Sequence, residues 1–145
     1  RFSVVDYGAI TTNAGTPFER RLELIYDDLN LLMGKFHPEA MSIEKLFYNT
    51  NAKTVIDVAQ ARGVTVLAAK KNNIPIFEYT PLQVKQSVVG YGRAEKKQVQ
   101  EMTRIILKLA KIPKPDDTAD ALAMAICHPH ASGSLMGKLN SMGIR

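Results

Sequence analysis

The pattern of apolar and polar residues predicts strands alternating with helices along most of the chain. Val, Phe and Tyr are frequent in residues 1–10, which is typical of a strand, and residues 40–47 and 74–79 are short apolar runs of strand length. Between the first two strands, apolar residues recur at spacings of three and four, as in an amphipathic helix: Leu22, Ile25, Leu29, Leu32 and Phe36. This order of elements predicts an α/β domain.

Capping and proline signals mark where the helices begin and end. Thr16-Pro17-Phe18-Glu19 has the sequence of a capping box, and this first helix is expected to end near His37-Pro38, since the residue before proline avoids helix. Further helices are predicted over 52–71, 81–89, 94–109 and 116 to about 127. Residues 131–145, rich in Gly, Ser and Met, are expected to be a weakly ordered tail after a single domain over 1–130.

Composition favours a globular protein with an anionic partner. The 145 residues are enough for one core, and 46% hydrophobic and 23% charged residues argue against disorder. A net charge of +5 favours nucleic acid as a partner without demonstrating it. The single cysteine, Cys127, excludes an internal disulfide framework and suits a reducing, cytoplasmic setting. No apolar run reaches the roughly 20 residues of a membrane span, so no membrane partner is expected.

Glu44 is the most informative single residue, because it interrupts the apolar segment AMSIEKLF. Burying a carboxylate there without a partner would be costly. Strand alternation places Ser42, Glu44 and Leu46 on one face. Glu44 is then either an exposed acid of an edge strand or a functional carboxylate at the C-terminal end of a strand, where sites on open α/β sheets gather. The pattern alone leaves both interpretations open.

Asp117 and Asp120 lie one helical turn apart in PDDTADALAMAI. Acidic residues in a first turn stabilise a helix through its dipole, which is an adequate explanation for Asp116 and Asp117. Asp120 shares a helical face with Asp117, and two carboxylates on a partly buried helix can bind a hard cation. The spacing by itself is not specific for a metal site.

The segment 84–111 is strongly basic, with two acidic residues, Glu95 and Glu101, against seven cations. The cations are Lys85, Arg93, Lys96, Lys97, Arg104, Lys108 and Lys111. Such a surface suits contacts with phosphates, although a solvated helix face is the commoner outcome of such a run. The CHPH motif at 127–130 has no second ligand cluster elsewhere, so a zinc site is not predicted.

Three long segments resemble one known family, the crossover junction endodeoxyribonucleases, or RuvC Holliday-junction resolvases. They are SIEKLFYNTNAKTVIDVAQARGV, PIFEYTPLQVKQSVVGYGRAEKKQVQ and PKPDDTADALAMAICH, and the resemblance runs over about residues 1–130. It implies an RNase H-like α/β fold, a mixed sheet flanked by helices, in a cytoplasmic homodimer. It also implies an endonuclease that resolves four-way junction DNA in recombination and repair by paired symmetric nicks, alongside branch-migration machinery.

The resemblance gives the three acidic residues a common role. Glu44, Asp117 and Asp120 correspond to three of the family's four acidic metal ligands. The implied cofactor is Mg²⁺, with Mn²⁺ as a substitute. Two such ions per subunit would activate a water and neutralise the leaving oxygen in phosphodiester hydrolysis.

The resemblance also assigns residues that contact DNA. Lys85 and Lys96 correspond to basic residues near the scissile and neighbouring phosphates, with Lys85 counted in the catalytic set and Arg93 expected to contact DNA beside them. Phe47 corresponds to an aromatic residue that stacks on bases at the opened junction. The helix over 52–71 corresponds to the one that pairs the subunits.

The sequence departs from the family pattern at its N-terminal end. The family opens with a strand bearing Asp-Pro-Gly, whose Asp is the first metal ligand, and a second strand follows; neither is in this sequence. Asp6, in VVDYGAI, corresponds to the family's third strand. We expect either that the sequence begins partway into the protein or that the chain is catalytically crippled. Three hypotheses follow: a resolvase, a junction-binding protein without nuclease activity, and a related RNase H-like nuclease acting on RNA.

Overall fold

The computed structural model describes residues 2–45 and 53–141, and their side chains up to residue 130. In this part of the chain helices and strands alternate, as predicted for an α/β protein. The elements are α1 Phe18–Phe36, β1 Met41–Glu44, α2 Val55–Lys71, β2 Ile76–Tyr79, α3 Pro81–Val88, α4 Lys96–Ile106 and α5 Asp116–Ser141. No helix among the described residues is long and apolar enough to cross a membrane.

The sheet of the described residues consists of β1 and β2. Backbone hydrogen bonds pair the strands at both ends, from the Met41 N–H to the Pro75 carbonyl and from the Lys45 N–H to the Tyr79 carbonyl, each 2.9 Å. Because the partner residue advances along β2 as the donor advances along β1, the two strands are parallel. Parallel strands need a crossover connection, and α2 lies in that connection.

The strand predicted for residues 1–10 is wrong within the described residues 2–10, which contain no strand. A strand is defined by hydrogen bonds to a neighbouring backbone, and β1 and β2 make up the described sheet. The apolar alternation is still visible as burial, since Phe2 and Val4 are half-buried while Ser3 and Val5 are exposed. The sequence pattern therefore reflects the alternating burial of residues 2–5, for which the described residues provide no pairing strand.

Most helix boundaries agree with the capping signals. The first helix ends at Phe36, followed by His37 in the left-handed conformation with φ of 49°. Its start differs from the prediction, because Pro17 occupies the N-cap position and no side-chain hydrogen bond caps the helix. The predicted end of the last helix near Cys127 is also wrong. There α5 continues to Ser141 with Pro129 inside it, since an internal proline removes one hydrogen bond and kinks a helix without always ending it.

Residue contacts divide the chain into two compact units. One comprises Ile10–Met41 and Leu46–Phe77, and the other Arg1–Ala9, Ser42–Lys45 and Glu78–Arg145. In the first unit α1 packs on α2, and its core holds Met33, Ala68, Ala69 and Ile74. Met33 is the buried residue of α1, whereas Leu32 and Phe36, which were predicted to lie on its apolar face, are exposed.

The core of the second unit lies between β2, α3 and α5 and is closed by α4. Its buried members are Tyr79, Val84, Val88, Ala123, Met124, Ile126 and Cys127. Half-buried residues of α4, among them Val99 and Met102, pack against them. The apolar face of α5 is thus packed in this core. This packing fixes the position of the helix, which carries Asp117 and Asp120 outside the core.

Candidate catalytic site

A cavity of about 540 Å³ opens on the second unit, between the end of β1 and helices α3, α4 and α5. Its apolar wall is formed by core side chains such as Val84 and Ala123. The polar and charged residues that line it are Ser42, Glu44, Lys85, Lys96, Asp117 and Asp120. The structure therefore brings together five residues that the sequence analysis singled out, from segments up to 76 positions apart (Glu44 to Asp120).

Glu44 is the last residue of β1, so its side chain stands at the carboxyl end of a parallel strand. Two positions earlier, on the same face, the Ser42 hydroxyl donates a 2.8 Å hydrogen bond to the Met124 carbonyl. This bond ties β1 to α5, the helix that carries the two aspartates. Ser42 was noted in the sequence only for its shared face with Glu44, and its anchoring role was missed.

Asp117 and Asp120 occupy the first two turns of α5. The neighbouring Thr118 and Ala119 are buried, and so are Ala123 and Ile126 further along. Since one face of α5 is packed in the core, the two aspartates are held at the edge of the cavity by a rigid element rather than by a loop. Helical spacing alone predicted their shared face, and the structure adds that this face borders Glu44.

The carboxylates of this cavity repel one another. Burial raises the pKa of Glu44 above its usual value, and the charges of Asp120 and Asp117 raise it further. The Glu44 side chain is nevertheless exposed to solvent. The burial that affects its pKa therefore comes from the protein atoms around the mouth of the cavity, and solvent weakens its effect. The pKa of Asp120 is also raised, by burial first, while Lys96 opposes the rise and Asp117 and Asp116 add to it. The site is therefore short of positive charge.

The donor set fits a hard divalent cation, although the side chains do not converge on one point. Within the described residues, no group of three or more His, Cys, Asp or Glu side chains is already arranged to hold an ion. Carboxylate oxygens are nevertheless the ligands that Mg²⁺ and Mn²⁺ prefer. A cation there would also relieve the repulsion that raises the pKa of Glu44. The assignment of Glu44, Asp117 and Asp120 as metal ligands stays a prediction.

Lys96 is the cation next to these carboxylates. Its Nζ lies 3.9 Å from the Asp120 Oδ2 and 3.6 Å from the Asp116 Oδ2, while the Lys114 Nζ lies 2.9 Å from the Asp116 Oδ1. The hydrogen bond from Lys114, followed by the charges of Lys114 and Lys96, lowers the pKa of Asp116. From the sequence, Asp116 was explained by its place in the first turn of a helix, and Lys114 was not considered. The pairing of Asp116 with Lys96 depends on the approach of α4 to α5, for which the sequence carries no signal.

The turn between α3 and α4 brings Lys85 and Lys96 to the same cavity. Gly90 adopts φ of 99°, a conformation that glycine reaches without strain. A Cβ on Gly92 would clash with the Leu82 side chain, so the turn packs closely on α3. Arg93 is exposed in this turn and does not line the cavity. Phe47, the predicted stacking residue, lies outside the described residues.

We expect the Glu44→Gln variant to be more stable than the unmodified protein at pH 7 without divalent ions, by about 0.5 kcal/mol after solvent screening. The pKa of Glu44 is higher in the folded protein than its unfolded value of about 4.3. The protonated form of Glu44 therefore adds stability at pH values below about 4.3, and this added stability is lost as the pH rises through the folded-state pKa. The gain at pH 7 should appear as a rise in Tm of about 2 °C. It should vanish near pH 4, where the glutamate is itself protonated.

Thermal unfolding at pH 4 and pH 7 in a chelating buffer measures this difference. Glu78→Gln, on the neighbouring strand and outside the cavity lining, controls for the loss of one negative charge. A Glu44→Gln variant that is less stable than the unmodified protein at pH 7 would show that the cavity stabilises the ionised carboxylate.

Comparisons with known proteins agree with this architecture. The family model for the crossover junction endodeoxyribonuclease RuvC matches residues 1–128. The crossover junction endodeoxyribonuclease RuvC of Ruminiclostridium cellulolyticum is 62% identical over 139 residues, which cover 94% of this chain and 84% of that protein. The same-named protein of Clostridioides difficile is 54% identical over 143 residues, covering 99% and 84%.

Solved structures show the same fold. The RuvC structure from Thermus thermophilus matches with a TM-score of 0.80 at 33% identity, over 86% of this chain and 75% of that one. The T. thermophilus RuvC in complex with Holliday junction substrate matches with a TM-score of 0.77 at 30% identity, over 86% and 76%. The predicted RNase H-like α/β fold is therefore confirmed.

Proposed function

The chain belongs to the crossover junction endodeoxyribonuclease RuvC family of metal-dependent nucleases, and from that premise we propose that it resolves Holliday junctions by paired, symmetric nicks. The observation that carries the proposal is the cavity in which three carboxylates and two lysines meet. Acidic groups beside cations suit phosphodiester hydrolysis, since the reaction needs an activated water and neutralisation of the negative charge on the phosphate and the leaving oxygen. Recombination and repair are the processes in which such junctions arise.

Three carboxylates of the cavity would hold the metal. Glu44 would contribute from the end of β1 and Asp117 and Asp120 from the start of α5. Mg²⁺, with Mn²⁺ as a substitute and two ions per subunit, fits an all-oxygen donor set. When bound, such ions lower the pKa of a coordinated water and neutralise the leaving oxygen. The protein itself would orient the carboxylates on rigid elements and supply the partly buried environment in which their attraction for a cation is stronger than in water.

The basic residues would place the phosphodiester. Lys85 on α3 and Lys96 at the start of α4 line the same cavity as the carboxylates, so their ammonium groups can bind a phosphate that enters it. Arg93, exposed in the turn between these helices, would contact a neighbouring phosphate. Phe47 would stack on a base next to the opened junction.

Symmetric nicks require two equivalent sites, and a C2 homodimer provides them. Helix α2 is proposed as the pairing element, a role supported by its exposed apolar side chains Ile56 and Leu67, which share one face of the helix. A four-way junction is supported as the substrate by the relative whose structure is described as a complex with Holliday junction substrate. We place the nuclease domain in residues 1–130, in the cytoplasm, working with branch-migration machinery.

Cleavage of a plasmid-borne cruciform tests this function. Two nicks within the lifetime of one complex give a linear product, whereas independent single nicks give open circles. We expect linear product in Mg²⁺, and cleavage of a synthetic four-way junction on the order of 10³-fold faster than of the matching linear duplex, the scale of specific over non-specific DNA binding.

Structured RNA of the same length is the third substrate in this assay. Equal cleavage of junction, duplex and RNA would contradict a resolvase and favour a broader RNase H-like nuclease. Tight junction binding without cleavage in either Mg²⁺ or Mn²⁺ would favour the junction-binding protein without nuclease activity.

A further inference from the structure

Lys96 is shared by two carboxylates with different surroundings. Its ammonium lies 3.9 Å from the Asp120 Oδ2, inside the cavity, and 3.6 Å from the Asp116 Oδ2. Asp120 lines the cavity, whereas Asp116 does not. The start of α4 is fixed by a 2.7 Å hydrogen bond from the Glu95 N–H to the Gln98 Oε1, so Lys96 projects from a well-defined position. One ammonium group therefore bridges a proposed metal ligand and a second acid outside the cavity.

Asp116 is held in turn by a second cation. Its Oδ1 accepts a 2.9 Å hydrogen bond from the Lys114 Nζ, which leaves its Oδ2 directed towards Lys96. The two oxygens of one carboxylate thus connect Lys114, Lys96 and, through Lys96, Asp120. Each of these side chains is at least half exposed, so each pair taken alone is weak. A chain of several charges fixes geometry better than an isolated pair.

We propose that Asp116 is a positioning residue that keeps the Lys96 ammonium at the rim of the cavity when Asp120 binds a divalent cation. This inference rests on the proposed function. A cation at Asp120 competes with Lys96 for the same oxygen and repels the ammonium group. With Asp116 as an alternative partner 3.6 Å away, Lys96 releases Asp120 and stays beside the cavity, where it can bind a phosphate.

This role differs from that of an ordinary helix cap. An acid in the first turn of α5 stabilises the helix through its dipole whatever Lys96 does. A positioning residue acts through Lys96, so its effect disappears when position 96 carries no charge. The distinction can be measured with a double-mutant cycle between the two residues.

Calorimetric titration of the full chain with Mn²⁺, without DNA, provides the readout. We expect Asp116→Asn to weaken Mn²⁺ binding about threefold, the scale of an exposed ion pair, because Lys96 then remains on Asp120. Lys96→Met should strengthen binding by removing the competing cation. In that background, adding Asp116→Asn should change the Mn²⁺ affinity by less than about 1.5-fold. Asp116→Ser, which also removes the charge but with a different polar side chain, should behave as Asp116→Asn does.

Asp6→Asn serves as the matched control, since it removes one exposed carboxylate from the same unit outside the cavity lining. It should leave Mn²⁺ binding within about 1.5-fold. Equal weakening by Asp116→Asn in the unmodified protein and in the Lys96→Met variant, or no weakening in either, would overturn the positioning role while leaving the metal site intact. Absence of Mn²⁺ binding in the unmodified protein would instead overturn the proposed metal site, and the positioning role with it.

Discussion

Replacement of Glu44 by glutamine is expected to reduce the rate of junction nicking by about 10³-fold, while the affinity for the junction changes little. Glutamine has nearly the same shape as glutamate but lacks the charge that, in the proposed site, would hold a divalent cation together with Asp117 and Asp120. Loss of metal-based charge stabilisation in the transition state costs several kcal/mol, and each 1.36 kcal/mol is a factor of ten in rate. Lys85 and Lys96 remain in the variant, so the cavity keeps the two lysines that we propose contact phosphate.

Single-turnover cleavage of a labelled four-way junction in Mg²⁺ measures the rate, and gel-shift titration in Ca²⁺ measures the affinity. Asp120→Asn should lose nicking in the same way, whereas Glu78→Gln, an acid on β2 outside the cavity lining, should nick at the normal rate. Normal nicking by Glu44→Gln would remove this residue from the catalytic set. A parallel loss of binding and nicking would mean that Glu44 organises the DNA surface instead.

The candidate site could be predicted only in part from the residues themselves. Helical spacing correctly placed Asp117 and Asp120 on one face, because that relation is local. The pairing of Glu44 with them depends on how β1 packs against α5, for instance through the hydrogen bond of Ser42 to the Met124 carbonyl, and no local pattern encodes it. Only the family resemblance joined the two segments in advance.

The charge network around Asp116 was not predicted at all. Asp116 had an adequate local explanation as a helix cap, and Lys96 lies 20 positions earlier in the chain. Their 3.6 Å approach follows from the packing of α4 on α5, which is a tertiary effect. A sequence pattern therefore gives little warning of a tertiary role when a local role, such as that of Asp116 at the start of a helix, already explains the residue.

The fold was predicted more completely than the site, and its errors have identifiable causes. Helices were predicted over 81–89 and 94–109 and are present as α3 and α4, while the capping box of Thr80 and Gln83 at the start of α3 was not noticed in the sequence. Residues 2–10 have the sequence pattern of a strand but form none within the described residues. The reason is that periodicity reports which side chains are buried and not whether the backbone has a hydrogen-bonding partner. The last helix was predicted to end at about residue 127, whereas α5 continues past Pro129 to Ser141.

Replacement of Ile126 by alanine is expected to have the opposite profile to the Glu44 variant, with a large loss of stability and little loss of nicking. Ile126 is completely buried and is among the largest fully buried side chains of the described residues. It belongs to the core cluster that includes Val84, Val88 and Tyr79, so its truncation leaves a cavity and should cost about 3 kcal/mol, or roughly 10 °C in Tm.

The nicking rate of the Ile126 variant should be preserved because Asp117 and Asp120 lie nearly two turns or more away, at the start of α5. At about 20 °C, where most of the protein remains folded, the rate per folded molecule should stay within about twofold. Urea unfolding gives the stability and single-turnover cleavage gives the rate. Ile105→Ala, the same substitution at an exposed position of α4, should change stability by less than about 0.5 kcal/mol. A severe loss of nicking by the folded Ile126→Ala variant would contradict this expectation. It would show that the positions of the Asp117 and Asp120 carboxylates depend on how the whole of α5 packs in the core.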